Sequence, residues 1–430
     1  MRKELLCVKK LDLLEIFHGL KEQRKAVVSV CTANRFVLDS VMRFQKEKDA
    51  FVIIESTSNQ VNHRGGYSGL TPFDFRKMVL SLAEKNGVQT QKLIIGADHA
   101  GPWPWLSLSS NEATEEAKKL VSACVKAGYK KIHIDTSYKL ADDVICDKSI
   151  VARRQAELCY VAEQAYKDVS HEDPIPPVYV LGTDVPPPGG SVGAGSNDTV
   201  TAEELLEDLD MTRREFLKLG LQNAWNRVVA YVVNTGADFT SFDVVPYESD
   251  KFGQLRSLLL TEPYVLEAHS TDYQTLGSLV QMVHDGFAVL KVGPELTFRF
   301  REAVFALCDI EEETIKPQDR SHFVETLLSE MRANPKHWKN YYRGDEVEMK
   351  FSLYDRIRYY WFNERVEAAL KKLFTNLHGL RTPASLIHQN LPDIVEDISG
   401  ALVIDPFELI NLKIRLSLEK YNRACQNAQV

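Results

Sequence analysis

No stretch of this chain stays apolar for the roughly 18 residues that a membrane-spanning helix requires, so a bilayer-embedded protein is not expected. The opening Met1-Arg-Lys-Glu-Leu-Leu has no apolar core of the kind a secretory signal carries. Cysteine pairs at metal or redox spacing are missing as well. The seven cysteines, at 7, 31, 124, 146, 159, 308 and 425, include no CxxC, which argues against a zinc ribbon or a disulfide framework. Positive charge is in deficit, 52 Lys and Arg against 60 Asp and Glu, and no long basic run offsets the net −8, so a nucleic-acid partner is not expected. Neither GxGxxG nor GxxxxGK[ST] occurs, which leaves nicotinamide and P-loop chemistry without support. The composition that remains, 44% apolar and 26% charged, suits a globular protein with a large core. A soluble, cytoplasmic chain with reduced thiols is the expectation.

What is present is a rhythm. After an amphipathic helix over residues 3–25, eight β-rich runs alternate with helical patterns: 27–31, 51–55, 92–98, 131–135, 177–184, 228–234, 264–269 and 287–293. Strict strand–helix alternation implies a parallel sheet, and eight units in this length match the α/β class (β/α)8 TIM barrel. A doubly wound open sheet ranks second, because reactive residues follow nearly all eight runs and do not cluster at one crossover. Residues 1–305 are therefore expected to form the barrel with its N-terminal helix, and 306–430 a helical C-terminal extension. In the latter, the aromatic run Tyr359-Tyr360-Trp361 reads as packing.

Barrel catalysts present their chemistry at the C-terminal ends of strands. The central stretch here is Lys92-Leu-Ile-Ile-Gly-Ala-Asp98-His99-Ala-Gly101-Pro102, a buried-strand pattern that stops on an acid and an imidazole. The other strand ends carry Asn34, Glu55, Asp135, Asp184, Asn234, His269 and Lys291. Two histidines with carboxylates suit a divalent metal such as zinc or manganese. His99 and His269 are the expected nitrogen ligands. Glu55, Asp135, Asp184 and Glu267 compete for the carboxylate position, and Glu267 is grouped with the histidines in the expected set. His133 is either a third ligand or a buried, satisfied histidine, and the second is the expectation. One of Asp98, Glu55 and Asp184 is expected to transfer protons.

For the substrate, the loop Asn59–Gly69 is expected to close over it, with the amides of Gly65 and Gly66 meeting an anion. Lys291 and Gly293 lie where barrels often bind phosphate. Asn34, Ser58, Asn59 and Asp135 complete the expected contacts, and Pro186–Ser196 reads as a lid.

Several longer motifs, Ile54-Glu-Ser-Thr-Ser-Asn-Gln-Val-Asn62, Gly66-Tyr-Ser-Gly-Leu-Thr-Pro72, Asp98-His-Ala-Gly-Pro102, Lys131-Ile-His-Ile-Asp135, Glu267-Ala-His-Ser-Thr-Asp-Tyr-Gln274, Leu290-Lys-Val-Gly-Pro294 and Asp355-Arg-Ile-Arg-Tyr-Tyr-Trp361, resemble the Z-type, "non-catalytic" subunit family of class II D-tagatose-1,6-bisphosphate aldolase. The resemblance implies a TIM barrel with a helical extension and a role in galactitol or tagatose breakdown. It also implies one of two activities: support of a separate class II aldolase subunit, or metal-dependent 4-epimerisation that interconverts tagatose and fructose phosphates. Three departures fall at strand ends, where Cys31-Thr-Ala-Asn34-Arg35, Gly182-Thr-Asp184-Val-Pro and Asp98-His-Ala-Gly-Pro-Trp103 replace the usual Cys-Ser-Ala-His-Pro, Gly-Thr-Glu-Val-Pro and Asp-His-Leu-Gly-Pro-Asn.

The C4 hydrogen of a ketose is β to the carbonyl, so deprotonation cannot epimerise that carbon. Breaking and remaking C3–C4 can, given a metal, a base for the C4 hydroxyl and a phosphate anchor. The expectation is a ketose-phosphate 4-epimerase, with the accessory aldolase subunit as the alternative. The expected partners are a phosphorylated ketose, a class II aldolase subunit and a second copy of the chain.

Overall fold

The computed structural model describes residues 12–182, 201–259, 262–398 and 403–426. Eight short runs rich in Val and Ile form parallel strands: β1 (Val27–Cys31), β2 (Val52–Thr57), β3 (Leu93–Ala100), β4 (Lys131–Ile134), β5 (Val178–Gly182), β6 (Val228–Val233), β7 (Val265–Ala268) and β8 (Phe287–Val292). Each pairs with its neighbours in order, and β1 pairs with β8, so the sheet closes into a barrel. Closure excludes the open sheet. Every strand residue is buried, as expected where helices cover the outside and side chains fill the inside.

The inside is layered. Near the strand starts, Val27, Ile53, Ile94, Val178 and Val265 pack with Leu13 and Phe17 of α1 (Leu13–Gln23), which plugs that end with hydrocarbon. Towards the strand ends the inward residues turn polar: Ser29, Glu55, Lys131, His133, Glu267 and Lys291 are all buried. The apolar layer fixes the barrel, and the polar layer above it carries the chemistry.

The outer helices start on local signals. Asn34 caps α2 (Arg35–Lys48), and Thr71 caps α3 (Pro72–Asn86) through a reciprocal bond with Asp74, Pro72 taking the first helical position. Then come α4 (Ser110–Lys126), α5 (Lys148–Val169), α6 (Ala202–Lys218), α7 (Leu276–His284) and α8 (Pro294–Thr314). A two-residue antiparallel pair, Asp238–Phe239 with Val244–Val245, follows β6.

Residues beyond α8 are helical, with α9 (Phe323–Ala333), α10 (Glu364–Leu377) and α11 (Pro406–Gln426) the longest pieces. The 305/306 division drawn from the sequence falls inside α8. α11 returns to pack on α2, α7 and α8, so the extension is built onto the barrel wall. Among the described residues no helix is long and apolar enough to cross a membrane.

Candidate active site

The site begins with a bulge in β3. Ala97 pairs with Ile132 and Ala100 with Ile134, so one extra β3 residue is accommodated between the two pairs. The extra length lets both Asp98 and His99 face the cavity, and it puts His99 in the left-handed region at φ 45°. Gly101 follows from the same geometry. A Cβ built on it would lie 1.7 Å from the Asp135 carbonyl oxygen, so only glycine lets β3 pass that close to the end of β4. The approach sets His99 Nδ1 2.7 Å from Asp135 Oδ2. With Nδ1 committed to Asp135, Nε2 is the nitrogen left for a ligand.

Beneath these residues lies a buried cage of charge. Lys131 Nζ is 2.7 Å from Glu55 Oε1 and 2.7 Å from Glu267 Oε2. Lys291 Nζ is 2.9 Å from Glu55 Oε2, 3.1 Å from Glu267 Oε1, and also bonds Asp98. Each glutamate therefore bridges both lysines, and Ser29 Oγ donates to Glu55 at 2.6 Å. Burial alone would lower the Lys291 pKa, but Asp98, Glu55 and Glu267 outweigh it and hold the ammonium well above its usual range. Asp98 is the mirror case. Burial would raise it, yet His99, Lys291 and His133 hold it well below the ordinary carboxylate range. The Cys31 thiol, pushed up by burial and by Asp98, donates to Asp98 Oδ2 at 3.2 Å.

Above the cage, His99, His133 and His269 stand with ring centroids 5.0–5.2 Å apart. Donor atoms of Asp98, His99 and His269 lie within 4.8 Å of one another, as do those of His133, Glu267 and His269. Burial and then Lys291 push His269 down to about 3, so its imidazole is neutral, the form that ligates metal. His133 Nε2 is buried without a hydrogen-bond partner. This favours the third-ligand alternative for His133 over a satisfied core histidine, since an orphaned imidazole nitrogen beside Glu267 and His269 is what a bound cation would complete. The residues present fit a divalent metal.

These groups floor a cavity that opens to solvent. Asp98, His99, His269 and Lys291 line it, together with Asn59, Gln60 and Tyr67 from the loop after β2 and with Phe239. Thr297, Arg358 and Tyr359 also line it.

Several expected residues lie elsewhere. Glu55, Glu267 and Asp135 sit beneath the lining, and Glu55, bonded to both lysines, lies out of reach of a substrate in the cavity. Asn34 is committed as the α2 cap, accepting from the amides of Phe36 and Val37. Ser58 is buried off the cavity, with its amide on the Asp98 carbonyl. The Gly65 and Gly66 amides both donate to Asn62, so they cannot cradle an anion. Gly293 lines the cavity, but its amide donates to Asp272 Oδ1 at 2.9 Å, and the Glu295 amide joins it at 2.8 Å. Burial pushes the Asp272 carboxyl up to about 7 against those two bonds. Lys291, its ammonium shared among three carboxylates, is likewise unavailable to phosphate. Asp184 and the Pro186–Ser196 stretch fall outside the described residues.

Sequence reading missed Lys131, although Lys131-x-His133-x-Asp135 has the period of one strand face and a lysine in a buried strand needs partners. It also missed Asp272, and Arg358 and Tyr359, which reach the cavity from far along the chain.

A profile of the family described as "D-tagatose-1,6-bisphosphate aldolase subunit GatZ/KbaZ-like" matches residues 14–426. The D-tagatose-1,6-bisphosphate aldolase subunit GatZ of Escherichia coli O8 (strain IAI1) is 40% identical over 406 residues, 93% of this chain and 96% of the relative. The subunit of the same name from Shigella flexneri is 39% identical with the same coverage. Among solved structures, a probable tagatose 6 phosphate kinase from Sinorhizobium meliloti 1021 superposes with a TM-score of 0.83 at 34% identity, over 93% of this chain and 100% of that one. The chain belongs to the D-tagatose-1,6-bisphosphate aldolase subunit GatZ/KbaZ-like family.

Proposed function

We propose that the barrel mouth binds a phosphorylated ketose beside a divalent cation, zinc or manganese, and interconverts tagatose and fructose phosphates at C4. The observation that carries this reading is the orphaned His133 Nε2 among His269, Glu267 and His99, set in the floor of an open cavity. A cation held by His99 and His269, with Glu267 as the carboxylate ligand, would supply Lewis-acid polarisation of the ketose oxygens.

The protein's own part is acid–base work and positioning. Of the three expected bases, Asp98 is the one that lines the cavity among the described residues, held in place by Lys291 and by His133 Nδ1 at 3.1 Å. It takes the C4 hydroxyl proton as C3–C4 opens to an aldehyde and a three-carbon enediolate. The aldehyde turns and the bond re-forms on its other face, with the proton returned to the new hydroxyl.

A second reading, an accessory subunit for a class II aldolase, is favoured over the first by the names of the relatives, which are called aldolase subunits. Incubation with fructose 6-phosphate and metal in deuterated water separates the two. The epimerase reading expects tagatose 6-phosphate with no deuterium at C4. Inertness alone, with activation of an added class II aldolase, would establish the second reading instead.

A further inference from the structure

The cavity floor carries Asp98 over the cage in which Glu55 and Glu267 hold Lys131 and Lys291. Arg358 also lines the cavity. This side chain is buried, and its Nη1 donates to the carbonyl oxygens of Tyr354 and, at 3.2 Å, Asp355. Its Nη2 reaches the Tyr359 hydroxyl at 3.4 Å. Among the described residues none of its hydrogen-bond partners is a carboxylate. The adjacent acid, Asp355, lies 3.6 Å from Arg301 Nε and acts on Arg358 through space without a hydrogen bond. The contrast with the other buried cations of the site is sharp, because Lys131 has two carboxylates and Lys291 three. A buried guanidinium with no hydrogen-bonded carboxylate can take an anionic partner from a ligand, and this one borders the cavity.

The other anion seats are closed. The start of α8, where barrels often take a phosphate, is filled by the Asp272 carboxyl on the Gly293 and Glu295 amides. The glycine amides of the 59–69 loop are bonded to Asn62. Residues 183–200 contain no lysine or arginine. Arg358 also has a fitting neighbour. The Tyr359 hydroxyl accepts from Arg358 and from Arg356 Nη1 at 3.2 Å and also meets the Asn59 side chain, another lining residue.

We propose that Arg358, with the Tyr359 hydroxyl, seats one terminal phosphoryl group, so that the cavity takes a ketose monophosphate in preference to a bisphosphate or a free ketose. The assignment rests on the ketose-phosphate reading above. It supplies what that reading lacked once Lys291, Gly293, Gly65 and Gly66 were found engaged. One guanidinium of this kind among the lining residues matches one phosphoryl group.

Titration calorimetry on the full chain as purified tests it. Fructose 6-phosphate should bind at least roughly tenfold more tightly than fructose, the scale of a charge-assisted guanidinium–phosphate contact. Fructose 1,6-bisphosphate should bind no more tightly than the monophosphate, and inorganic phosphate should compete with fructose 6-phosphate. Arg358→Gln should erase the preference while leaving fructose affinity unchanged, and Arg358→Lys should keep part of it.

Because Arg358 also holds two backbone carbonyls, the glutamine variant is checked by circular dichroism. If it does not fold, competition in the wild type decides. The proposal is overturned if a folded Arg358→Gln keeps the preference or if inorganic phosphate and fructose 6-phosphate bind independently. Tighter binding of the bisphosphate would also overturn it, as would tighter Arg358-dependent binding of a 2-ketohexuronate, which carries a carboxylate at C6. Arg358-dependent binding without epimerisation would leave the anchor standing and remove the catalytic reading. Epimerisation with an unchanged KM in Arg358→Gln would do the reverse.

Discussion

At the scale of single residues, the buried cage explains why two lysines and two glutamates persist inside a barrel otherwise filled with hydrocarbon. Each charge is satisfied only because the others are present, so removing one leaves its partners exposed to a low-dielectric interior. Lys131→Met should therefore destabilise the fold by about 3–5 kcal/mol, the usual consequence of breaking a buried pair from one side. Urea unfolding measures it, and a loss below 1 kcal/mol would mean that the glutamates simply take up protons. Asp98 bears on chemistry instead. Asp98→Asn should lower turnover by roughly 10²–10⁴ with little change in substrate affinity. A variant with normal turnover would place the base elsewhere. Legibility also differs residue by residue. Asp98, His99 and His269 were readable because each ends a strand, and strand ends are where barrels expose side chains. Glu55 ends its run on paper, yet β2 continues to Thr57, which draws Glu55 down into the barrel between two ammonium groups.

At the scale of elements, the eight strands and most outer helices were legible because apolar period and capping residues encode them locally. The β3 bulge was not, since it is a mismatch between two strands and neither sequence alone contains it. Nor was the anchoring of the 59–69 loop. His63 Nε2 and Arg64 Nη2 reach Glu116 Oε2 of α4 at 2.9 and 2.7 Å, which clamps a loop whose Asn59, Gln60 and Tyr67 line the cavity. The Arg64 hydrogen bond, then that of Lys119, draws the Glu116 carboxyl down to about 2 from an ordinary 4.5. Since the folded value lies below the unfolded one, the clamp's contribution is complete above pH 4.5 and is lost as pH falls towards 2. Amide exchange across residues 59–69 should accelerate in that acid window. It should be fast at neutral pH in Glu116→Gln, and unchanged exchange in that variant would show that the loop is held by its other contacts.

At the scale of the whole molecule, the C-terminal residues are the part least visible from sequence. Their helices gave no strand rhythm to count, and their role depends on where α11 and the Arg356–Tyr359 turn dock, which is a matter of tertiary packing. That docking brings Arg358 and Tyr359 into the lining of the cavity floored by β1, β3, β7 and β8. The central claim is that this cavity is a working catalyst. The direct measurement incubates the purified chain alone, with zinc or manganese, separately with fructose 6-phosphate and with tagatose 6-phosphate. The account predicts that both reactions approach the same product ratio, without nucleotide, without released triose and without a second protein. Failure of either sugar to convert, with the metal bound, would contradict it.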